Sequence, residues 1–271
     1  MSGIELHSVT YHHKKQALFS DISLQIPQHC VTCLVGPNGS GKSTLLKLLA
    51  GLMLPHAGTI LLDNVAISGY SRKALAKKIA YLPQQCRIPA SLTVREYVAL
   101  ARFCHQSWFG RLNANDLAAI EDAIRLTDLS IHADRPVAIL SAGQQQRARI
   151  ALMLAQQAQY LLLDEPMTGL DLKQQRNMLQ LLADLQQKYA KTIVVILHDL
   201  HQVMEIANEV ILLKNGIVLG QGHPREMINT DFLLKAFDYE CEVSSVTGNN
   251  MVYILPKPIA VRHALEPVSK A

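Results

Sequence analysis

One eight-residue segment, Gly36–Ser43, constrains the fold of this chain more than any other part of the sequence. It reads GPNGSGKS and matches the phosphate-loop pattern G-x-x-x-x-G-K-[ST] in full. The apolar run Val31–Val35 precedes it and predicts a buried strand, and Lys42–Leu49 follows it with helical spacing. A strand, a glycine-rich turn and a helix form the setting in which this motif binds nucleotide phosphates. The alternative is a tight turn that binds nothing, which the full match in this setting disfavours.

Each part of the segment has a chemical role that its residue type explains. Glycines let the backbone approach phosphate oxygens without a Cβ clash, and the helix start directs free N–H groups toward the anion. Lys42 is expected to reach the β- and γ-phosphates, and the Ser43 hydroxyl is expected to hold Mg²⁺. The predicted nucleotide-binding residues of this segment are Gly36, Pro37, Asn38, Gly39, Ser40, Gly41, Lys42, Ser43 and Thr44.

Two further apolar runs end in groups that can act on a nucleotide. Tyr160–Leu163 predicts a buried strand and leads directly into Asp164 and Glu165. Because α/β sheets bind ligands at the carboxyl ends of their strands, we expect Asp164 to support Mg²⁺ and Glu165 to polarise an attacking water. The alternative is that both acids cap the next helix. A third run, Ile193–Leu197, places His198 at the same edge, although a single histidine at a strand end is more often structural.

A second helix start suited to phosphate lies at Leu140–Gln144, which reads LSAGQ. Ser141 is a favourable N-cap residue, Gly143 allows a ligand to approach closely, and Gln144–Leu154 predicts a helix. Ser141, Gly143 and Gln144 are therefore candidate nucleotide-binding residues. One nucleotide is not expected to engage both helix starts of the same monomer.

These motifs resemble those of the ATP-binding cassette (ABC) ATPases, and the resemblance covers about residues 1–240. LSAGQ is similar to the family's signature, which usually has glycine where this chain has Ala142, and alanine fits there only at negative φ. The resemblance implies an α/β fold: a P-loop NTPase cassette with a mainly parallel sheet, an antiparallel β subdomain and an inserted helical lobe. It also implies ATP and Mg²⁺ as cofactors and ATP hydrolysis as the activity.

The resemblance assigns roles to four residues that would be unremarkable singly. Tyr11 resembles the aromatic residue that stacks on adenine, and Gln84 the glutamine that contacts Mg²⁺ and water and senses the transporter. Asp171 resembles a residue of the loop that crosses the dimer interface, and His198 resembles the switch histidine. The family forms isologous, head-to-tail dimers that hold two ATP molecules, each between one subunit's phosphate loop and the other's signature.

Hydropathy and charge restrict where such a chain works and what it contacts. No apolar run reaches the roughly 18–20 residues that span a bilayer, and the first residues lack a signal segment. We therefore expect a cytosolic chain, and the resemblance implies a peripheral subunit at the cytoplasmic face of the inner or cell membrane. The resemblance implies a homodimer, two integral-membrane permease subunits and, indirectly, a solute-binding protein. The net charge of +4 is modest and its basic residues are scattered, which predicts no nucleic-acid partner.

The chain length predicts one large domain with a small appendage. Of 271 residues, 1–240 form the predicted ATPase domain, and 241–271 a C-terminal hairpin and tail. Turn signals predict hairpins at 214–216 and 247–250. Residues 4–27 are predicted to form antiparallel strands. Their expected inward side chains are Ile4, Leu6, Leu18, Ile22, Leu24 and Ile26.

A helical lobe is predicted within the domain, over residues 86–156. Helices are expected at Thr93–Phe103 and Asn115–Leu126, followed by the signature helix. By resemblance, this lobe faces the membrane subunit. The aromatic pair Trp108–Phe109 is expected either near that partner surface or in a small local core.

The cargo is inferred from resemblance alone, because cargo contacts lie in other subunits. A single cassette with a short C-terminal hairpin fits an importer, and the chain resembles ATPases of ferric-siderophore, haem and cobalamin uptake. The stretches that carry this resemblance are 91–96, 110–112, 197–202, 220–224 and 246–256. Zinc and manganese importer ATPases share several of them. We predict ferric siderophore or a related iron chelate as cargo. Alternatives are haem or cobalamin import, zinc or manganese import, and a non-transport regulatory ATP-binding module, although Glu165 and His198 favour hydrolysis.

Overall fold

The computed structural model describes residues 3–14, 16–85, 89–106, 110–245 and 252–256. The strands are β1 (Gly3–His13), β2 (Gln16–Pro27), β3 (Val31–Val35), β4 (Ala57–Leu62), β5 (Val65–Ala66), β6 (Ile79–Leu82), β7 (Tyr160–Leu163), β8 (Thr192–Ile196), β9 (Glu209–Lys214), β10 (Ile217–Gly222), β11 (Cys241–Ser245) and β12 (Val252–Pro256). The α-helices are α1 (Lys42–Leu49), α2 (Arg72–Lys78), α3 (Val94–Ala99), α4 (Ala114–Leu126), α5 (Ala142–Ala155), α6 (Leu172–Tyr189), α7 (Leu200–Ile206), α8 (Pro224–Met227) and α9 (Thr230–Phe237).

A six-stranded sheet with the order β10-β9-β3-β8-β7-β6 forms the centre of the molecule. The strands β9, β3, β8, β7 and β6 run parallel, and β10 pairs antiparallel with β9. Every residue of β3, β7 and β8 is buried, as expected for parallel strands covered on both faces. Because these three strands are neighbours, their carboxyl ends bring the phosphate loop, the acid pair and His198 to one edge.

A four-stranded antiparallel sheet with the order β2-β1-β4-β5 packs its apolar face, together with α1, against the central sheet. Five of the six predicted inward side chains are buried, but Leu18 is only half-buried, and Phe19 is buried instead. The cause is Asp21, whose φ of 56° interrupts the regular alternation along β2. Ile22 and the even-numbered residues after it face inward, whereas Phe19 does so before the interruption.

The helices α3, α4 and α5 pack around a separate apolar cluster that includes Val98, Ile120 and Ala148. The helix predicted at Thr93–Phe103 is shorter than expected, since α3 ends at Ala99 and Leu100–Cys104 continues as a 3-10 helix. Trp108–Phe109 lies outside the described residues. The limits of the lobe at 86 and 156 remain a prediction.

Arg102, on that 3-10 helix, is a buried cation that holds this helical region together. Its Nε donates to Asp116 at 2.8 Å, and the two side chains are 4% and 2% exposed. One terminal nitrogen of Arg102 also donates to the Ala155 carbonyl at 2.7 Å and to Gln157 Oε1 at 2.9 Å. The N–H of Asn113 and the Arg102 guanidinium hold the pKa of Asp116 below its usual value despite burial. Arg102 therefore joins α4 to the carboxyl end of α5.

Replacing Arg102 with methionine should lower the free energy of unfolding by about 3–5 kcal/mol, because it leaves the Asp116 carboxylate buried without its cation. Urea unfolding followed by circular dichroism would measure the loss. Arg125→Met is the matched control, since Arg125 pairs with Asp122 on the surface, where ion pairs add little. Equal stability of the two variants would contradict the role of Arg102.

Two hairpins follow α7, with α8 and α9 between them. Asn215 and Gly216, with φ of 50° and 74°, form the two-residue turn predicted between β9 and β10. Strands β11 and β12 pair as predicted, and Val243 and Ile254 pack against the core cluster of the central sheet. The predicted turn at 247–250 and the tail beyond 256 lie outside the described residues, and the boundary at 240 remains a prediction. In the described ranges, every helix is too short or too polar to cross a membrane.

Candidate functional site

The phosphate loop connects β3 to α1 in a conformation that only glycine permits at its two ends. At Gly36, with φ of 148°, an added Cβ would lie 1.9 Å from the Leu213 carbonyl oxygen. At Gly41, the N-cap of α1 with φ of 104°, it would lie 2.7 Å from the Phe19 ring. The first turn of α1 contains no acidic residue and no side-chain cap. Its N–H groups and its dipole therefore favour an anion at this point.

Lys42 closes the loop on itself. Its buried ammonium donates to the carbonyl oxygens of Gly36 and Pro37, both at 2.8 Å. Burial lowers the pKa of Lys42, and the nearby carboxylates of Glu165 and Asp164 oppose this shift. The cation thus lies between the loop backbone and the acid pair. Of the other loop residues, Asn38 and Gly39 are exposed, Ser40 is buried, and Thr44 is half-buried in the first turn of α1.

Ser43 and Asp164 meet as the sequence predicts for a shared metal site. The Ser43 hydroxyl donates to Asp164 Oδ1 at 2.9 Å, and the Tyr81 hydroxyl donates to Oδ2 at 3.4 Å. Burial raises the pKa of Asp164, and the charge of Glu165 adds to this shift. Burial and the neighbouring charge of Glu165 both disfavour the carboxylate form of Asp164, so a cation here would be stabilising. The hydroxyl and carboxylate oxygens are also the ligand types that Mg²⁺ prefers.

Glu165 is surrounded by three side chains that orient its carboxylate. His198 Nε2 lies 2.7 Å from Oε1, and Gln84 Nε2 donates to Oε2 at 2.6 Å. Thr168 donates to the same oxygen at 3.3 Å. Burial alone would raise the pKa of Glu165, but the hydrogen bond and charge of His198, with Thr168 and Gln84, hold it below its usual value. The geometry supports a charged carboxylate that can accept a proton from water.

The backbone at Glu165 is itself unusual. Its φ of 50° lies in the left-handed region, which a glutamate rarely adopts and which costs on the order of 1 kcal/mol or more. This turn directs the side chain back over the sheet edge toward Gln84 and His198. Asp164 and Glu165 thus do not cap the next helix, because Asp171 is the N-cap of α6.

The LSAGQ segment begins α5 as predicted. Ser141 is the N-cap and forms a reciprocal capping box with Gln144, and Ala142 has an ordinary negative φ as the first helical residue. Gly143 serves a contact that the sequence did not indicate. A Cβ there would lie 2.3 Å from the side-chain oxygen of Gln174 on α6. The Gln174 side chain therefore occupies the space beside Gly143 and would have to move before a larger residue could stand there.

The remaining predicted residues lie on two different elements. Asp171 accepts from the N–H of Gln174 at 2.8 Å, and the Gln174 side chain lies against Gly143 of the signature. Tyr11 is half-buried on β1, where it pairs with Phe19, the residue whose ring packs against Gly41. The Tyr11 ring also lies 5.1 Å from the ring of His56. Tyr11 is therefore next to the phosphate loop, and Asp171 is next to the signature.

One buried residue that the sequence analysis missed connects the signature helix to the acid pair. Gln146 on α5 donates to the carbonyl of Pro166, directly after Glu165, at 3.0 Å. Arg149 donates to Oε1 of the Gln146 side chain at 2.9 Å, which fixes the orientation of the amide. Only the three-dimensional placement of α5 beside the segment after β7 reveals this contact, because a glutamine in a polar helical run gives no signal of its own.

Comparisons with known proteins identify chains that are similar to this one. The sequence profile described as ABC transporter matches residues 19–168. The iron(3+)-hydroxamate import ATP-binding protein FhuC of Bacillus subtilis (strain 168) is 38% identical over 265 residues, or 98% of this chain and 96% of that protein. The ferric enterobactin transport ATP-binding protein FepC of Escherichia coli (strain K12) is 37% identical over 246 residues, or 90% and 91%.

A similar solved structure supports the fold. The dimeric bacterial ABC transporter cassette MJ0796 matches this chain with a TM-score of 0.72 and 30% identity, over 82% of this chain and 99% of that chain. The predicted fold class is thereby confirmed: a nucleotide-binding cassette with a mainly parallel sheet, an antiparallel sheet and helices inserted between the phosphate loop and the acid pair.

Proposed function

Because the chain belongs to the ABC transporter family, we propose that it is the ATP-hydrolysing subunit of an importer for a ferric siderophore or a related iron chelate. The proposed cargo is supported by sequence identity to two ATP-binding proteins that are named for iron(3+)-hydroxamate and ferric enterobactin. The identities are 38% and 37%, over at least 90% of this chain. The chemistry rests on the acid pair and the phosphate loop, which are joined by the hydrogen bond from Ser43 to Asp164.

The roles of the site residues follow from their positions. Lys42, now bonded to two loop carbonyls, would exchange them for β- and γ-phosphate oxygens. Ser43 and Asp164, with Gln84, would hold Mg²⁺, which supplies charge neutralisation at the phosphates. Glu165 accepts the proton of the attacking water, and His198 orients Glu165 and reaches the γ-phosphate.

A second copy of this chain completes each nucleotide site in our proposal. The phosphate loop and the signature are two separate helix starts, at α1 and α5, and each can stabilise an anion. The likeness to a dimeric cassette supports a dimer, in which we place the two copies head to tail. Ser141, Gly143 and Gln144 of one copy then contact the ATP held by the loop of the other. Asp171 lies at the interface, and Tyr11 stacks on the adenine.

The membrane partners in this proposal are two permease subunits, which receive cargo from a solute-binding protein. The chain would then lie at the cytoplasmic face of the membrane as a peripheral subunit. Gln84 is placed to link such a partner to hydrolysis, because its amide contacts Glu165 and it precedes the helical region. Leu100 and Phe103 in that region are exposed apolar side chains available for contact with the permease.

The proposal predicts the transport phenotype of a strain that lacks this gene. Uptake of radioactive iron from at least one ferric siderophore should be lost, while uptake of free zinc and manganese stays normal. The wild-type gene and Glu226→Gln, a change of an exposed carboxylate on α8, should restore uptake, and Glu165→Gln should not.

Three outcomes would contradict it. Normal uptake of every iron chelate together with a zinc or manganese defect would refute the iron cargo and leave the ATPase intact. A defect confined to haem or cobalamin would replace the siderophore by those cargoes. Full uptake with Glu165→Gln would show that hydrolysis at this site does not drive transport.

A further inference from the structure

A histidine outside the predicted site contacts the signature. His132 ends a short 3-10 helix, Ser130–His132, that lies between α4 and α5, and its side chain is half-buried. Its Nε2 lies 3.0 Å from the side-chain nitrogen of Gln144, the glutamine of the signature. The two residues are twelve positions apart, so the fold, not the local sequence, brings them together.

The hydrogen-bond partners determine how this contact works. The Ser141 N–H donates to Gln144 Oε1 at 3.0 Å, which requires an oxygen at that position and turns the amide nitrogen toward His132. An amide nitrogen only donates, so His132 Nε2 must accept. The neutral ring therefore carries its proton on Nδ1. Among the described residues Nδ1 has no hydrogen-bond partner although it is buried, so the interaction with Gln144 is the one that orients the ring.

The contact determines the geometry of the helix start. Gln144 is held from two sides: by His132 through its amide nitrogen, and by Ser141 through its amide oxygen. The Gln144 N–H in turn donates to the Ser141 hydroxyl oxygen at 3.3 Å. This arrangement leaves the hydroxyl proton of Ser141 available to an external acceptor. Without His132, the Gln144 amide can rotate, and the capping box that orients Ser141 is weakened.

The segment that carries His132 is itself fixed to the start of α3. The N–H groups of Val94 and Arg95 donate to the carbonyls of Arg135 and Ala133 at 3.0 and 2.9 Å. The Val137 N–H donates to the Leu92 carbonyl at 2.9 Å. The segment that carries His132 is therefore held in place by backbone hydrogen bonds. A residue that positions another side chain needs such a fixed support.

We propose that His132 is a positioning residue for the signature, which orients Gln144 and Ser141 toward the phosphates of the nucleotide bound by the second copy. The proposal rests on the proposed function, since it requires an ATP-bridged dimer. His132 does not contact the nucleotide of its own phosphate loop in this proposal. Its loss should therefore weaken dimerisation and leave binding of ATP to the monomer unchanged.

The test compares four proteins that all carry Glu165→Gln, so that bound ATP persists. The parent has no other change, His132→Leu removes the acceptor, and His132→Gln supplies an amide oxygen at similar reach. His7→Leu is the matched control, because His7 is an exposed histidine of β1. Affinity of the monomer is measured with a fluorescent ATP analogue at low protein concentration. The dimer dissociation constant is measured by analytical ultracentrifugation at saturating Mg-ATP, and thermal unfolding is recorded on the same samples.

One hydrogen bond changes an equilibrium constant about two- to tenfold, and the symmetric dimer contains this one twice, so His132→Leu should raise the dimer dissociation constant roughly 4- to 100-fold. His132→Gln should restore most of the affinity, and His7→Leu should match the parent. The nucleotide dissociation constants of the four monomers should agree within about twofold. The hydrogen bond of His132 lies at the signature, so its loss leaves the phosphate loop unchanged.

Each contrary result has a distinct meaning. Tight dimers of His132→Leu, or equally weak dimers of His132→Gln and His132→Leu, would overturn the role of His132 while the proposed function stands. A parent that stays monomeric at saturating Mg-ATP would overturn the proposed dimer, and the role of His132 with it.

Discussion

Replacement of Glu165 by glutamine is expected to slow ATP turnover about 10²–10⁴-fold, the effect of losing a general base. The carboxylate is bonded to His198 and Gln84, and its pKa is held below the usual value for glutamate. It is therefore charged at neutral pH. It becomes protonated, and can no longer accept a proton from water, only as the pH falls through that lowered pKa. Glutamine keeps the shape and both neighbours but cannot accept a proton. Phosphate release at saturating Mg-ATP measures the loss.

Glu226→Gln is the control for Glu165→Gln, because it removes an exposed carboxylate far along the chain and should leave the rate unchanged. Nucleotide affinity should remain within a few-fold of the wild type in both variants, since the phosphate loop is untouched. A Glu165→Gln protein that hydrolyses ATP at a near-normal rate would remove Glu165 from the mechanism.

Replacement of Lys42 by alanine should reduce turnover on the order of 10²–10³-fold, as expected when one preorganised donor to developing negative charge is removed. The ammonium is buried between the loop carbonyls and the acid pair, so water cannot easily replace its charge. Binding of ATP should weaken as well, because the same cation offsets the charge of the β- and γ-phosphates. Equilibrium binding and phosphate release measure the two effects.

Lys188→Ala is the matched control for Lys42→Ala. Lys188 is an exposed lysine on α6 that pairs with Asp184, and surface pairs of this kind contribute little. Its removal should leave binding and turnover unchanged. If Lys42→Ala binds and hydrolyses ATP as Lys188→Ala does, the loop does not hold the triphosphate as proposed. Thermal unfolding of both proteins separates a binding defect from collapse of the loop.

The strands that carry the site were predictable because each is a short apolar run next to a polar group. Val31–Val35, Tyr160–Leu163 and Ile193–Leu197 correspond to β3, β7 and β8 within one residue. The prediction of inward-facing residues failed where the alternation of inward and outward side chains is interrupted within a strand. Phe19 is buried in place of Leu18 because Asp21 adopts a positive φ. The alternation of apolar and polar residues does not predict that conformation at an aspartate.

For the site, residue types indicated which groups meet but not how they are held. The shared edge of Asp164, Glu165 and His198 follows from strand order, whereas the contacts of Thr168 and Tyr81 depend on side-chain directions. The positive φ of Glu165 was likewise not predicted, because a glutamate rarely adopts this conformation and its sequence neighbours give no signal for it. Gly143 was predicted for a ligand, and its contact with Gln174 depends on how closely α6 approaches α5. These details require the three-dimensional structure.

The attachment of α5 has a mechanical consequence. Its last residue, Ala155, accepts from Arg102, and Gln156 donates to the Ala76 and Ile79 carbonyls, so the helix is anchored at this end. The 14-residue helix is about 21 Å long, and a tilt of about 10° around the anchor moves its first turn by about 4 Å. That distance separates a hydrogen bond to a phosphate oxygen from no contact. Because Gln146 donates to the Pro166 carbonyl, α5 cannot tilt without disturbing the residue next to Glu165, the proposed general base.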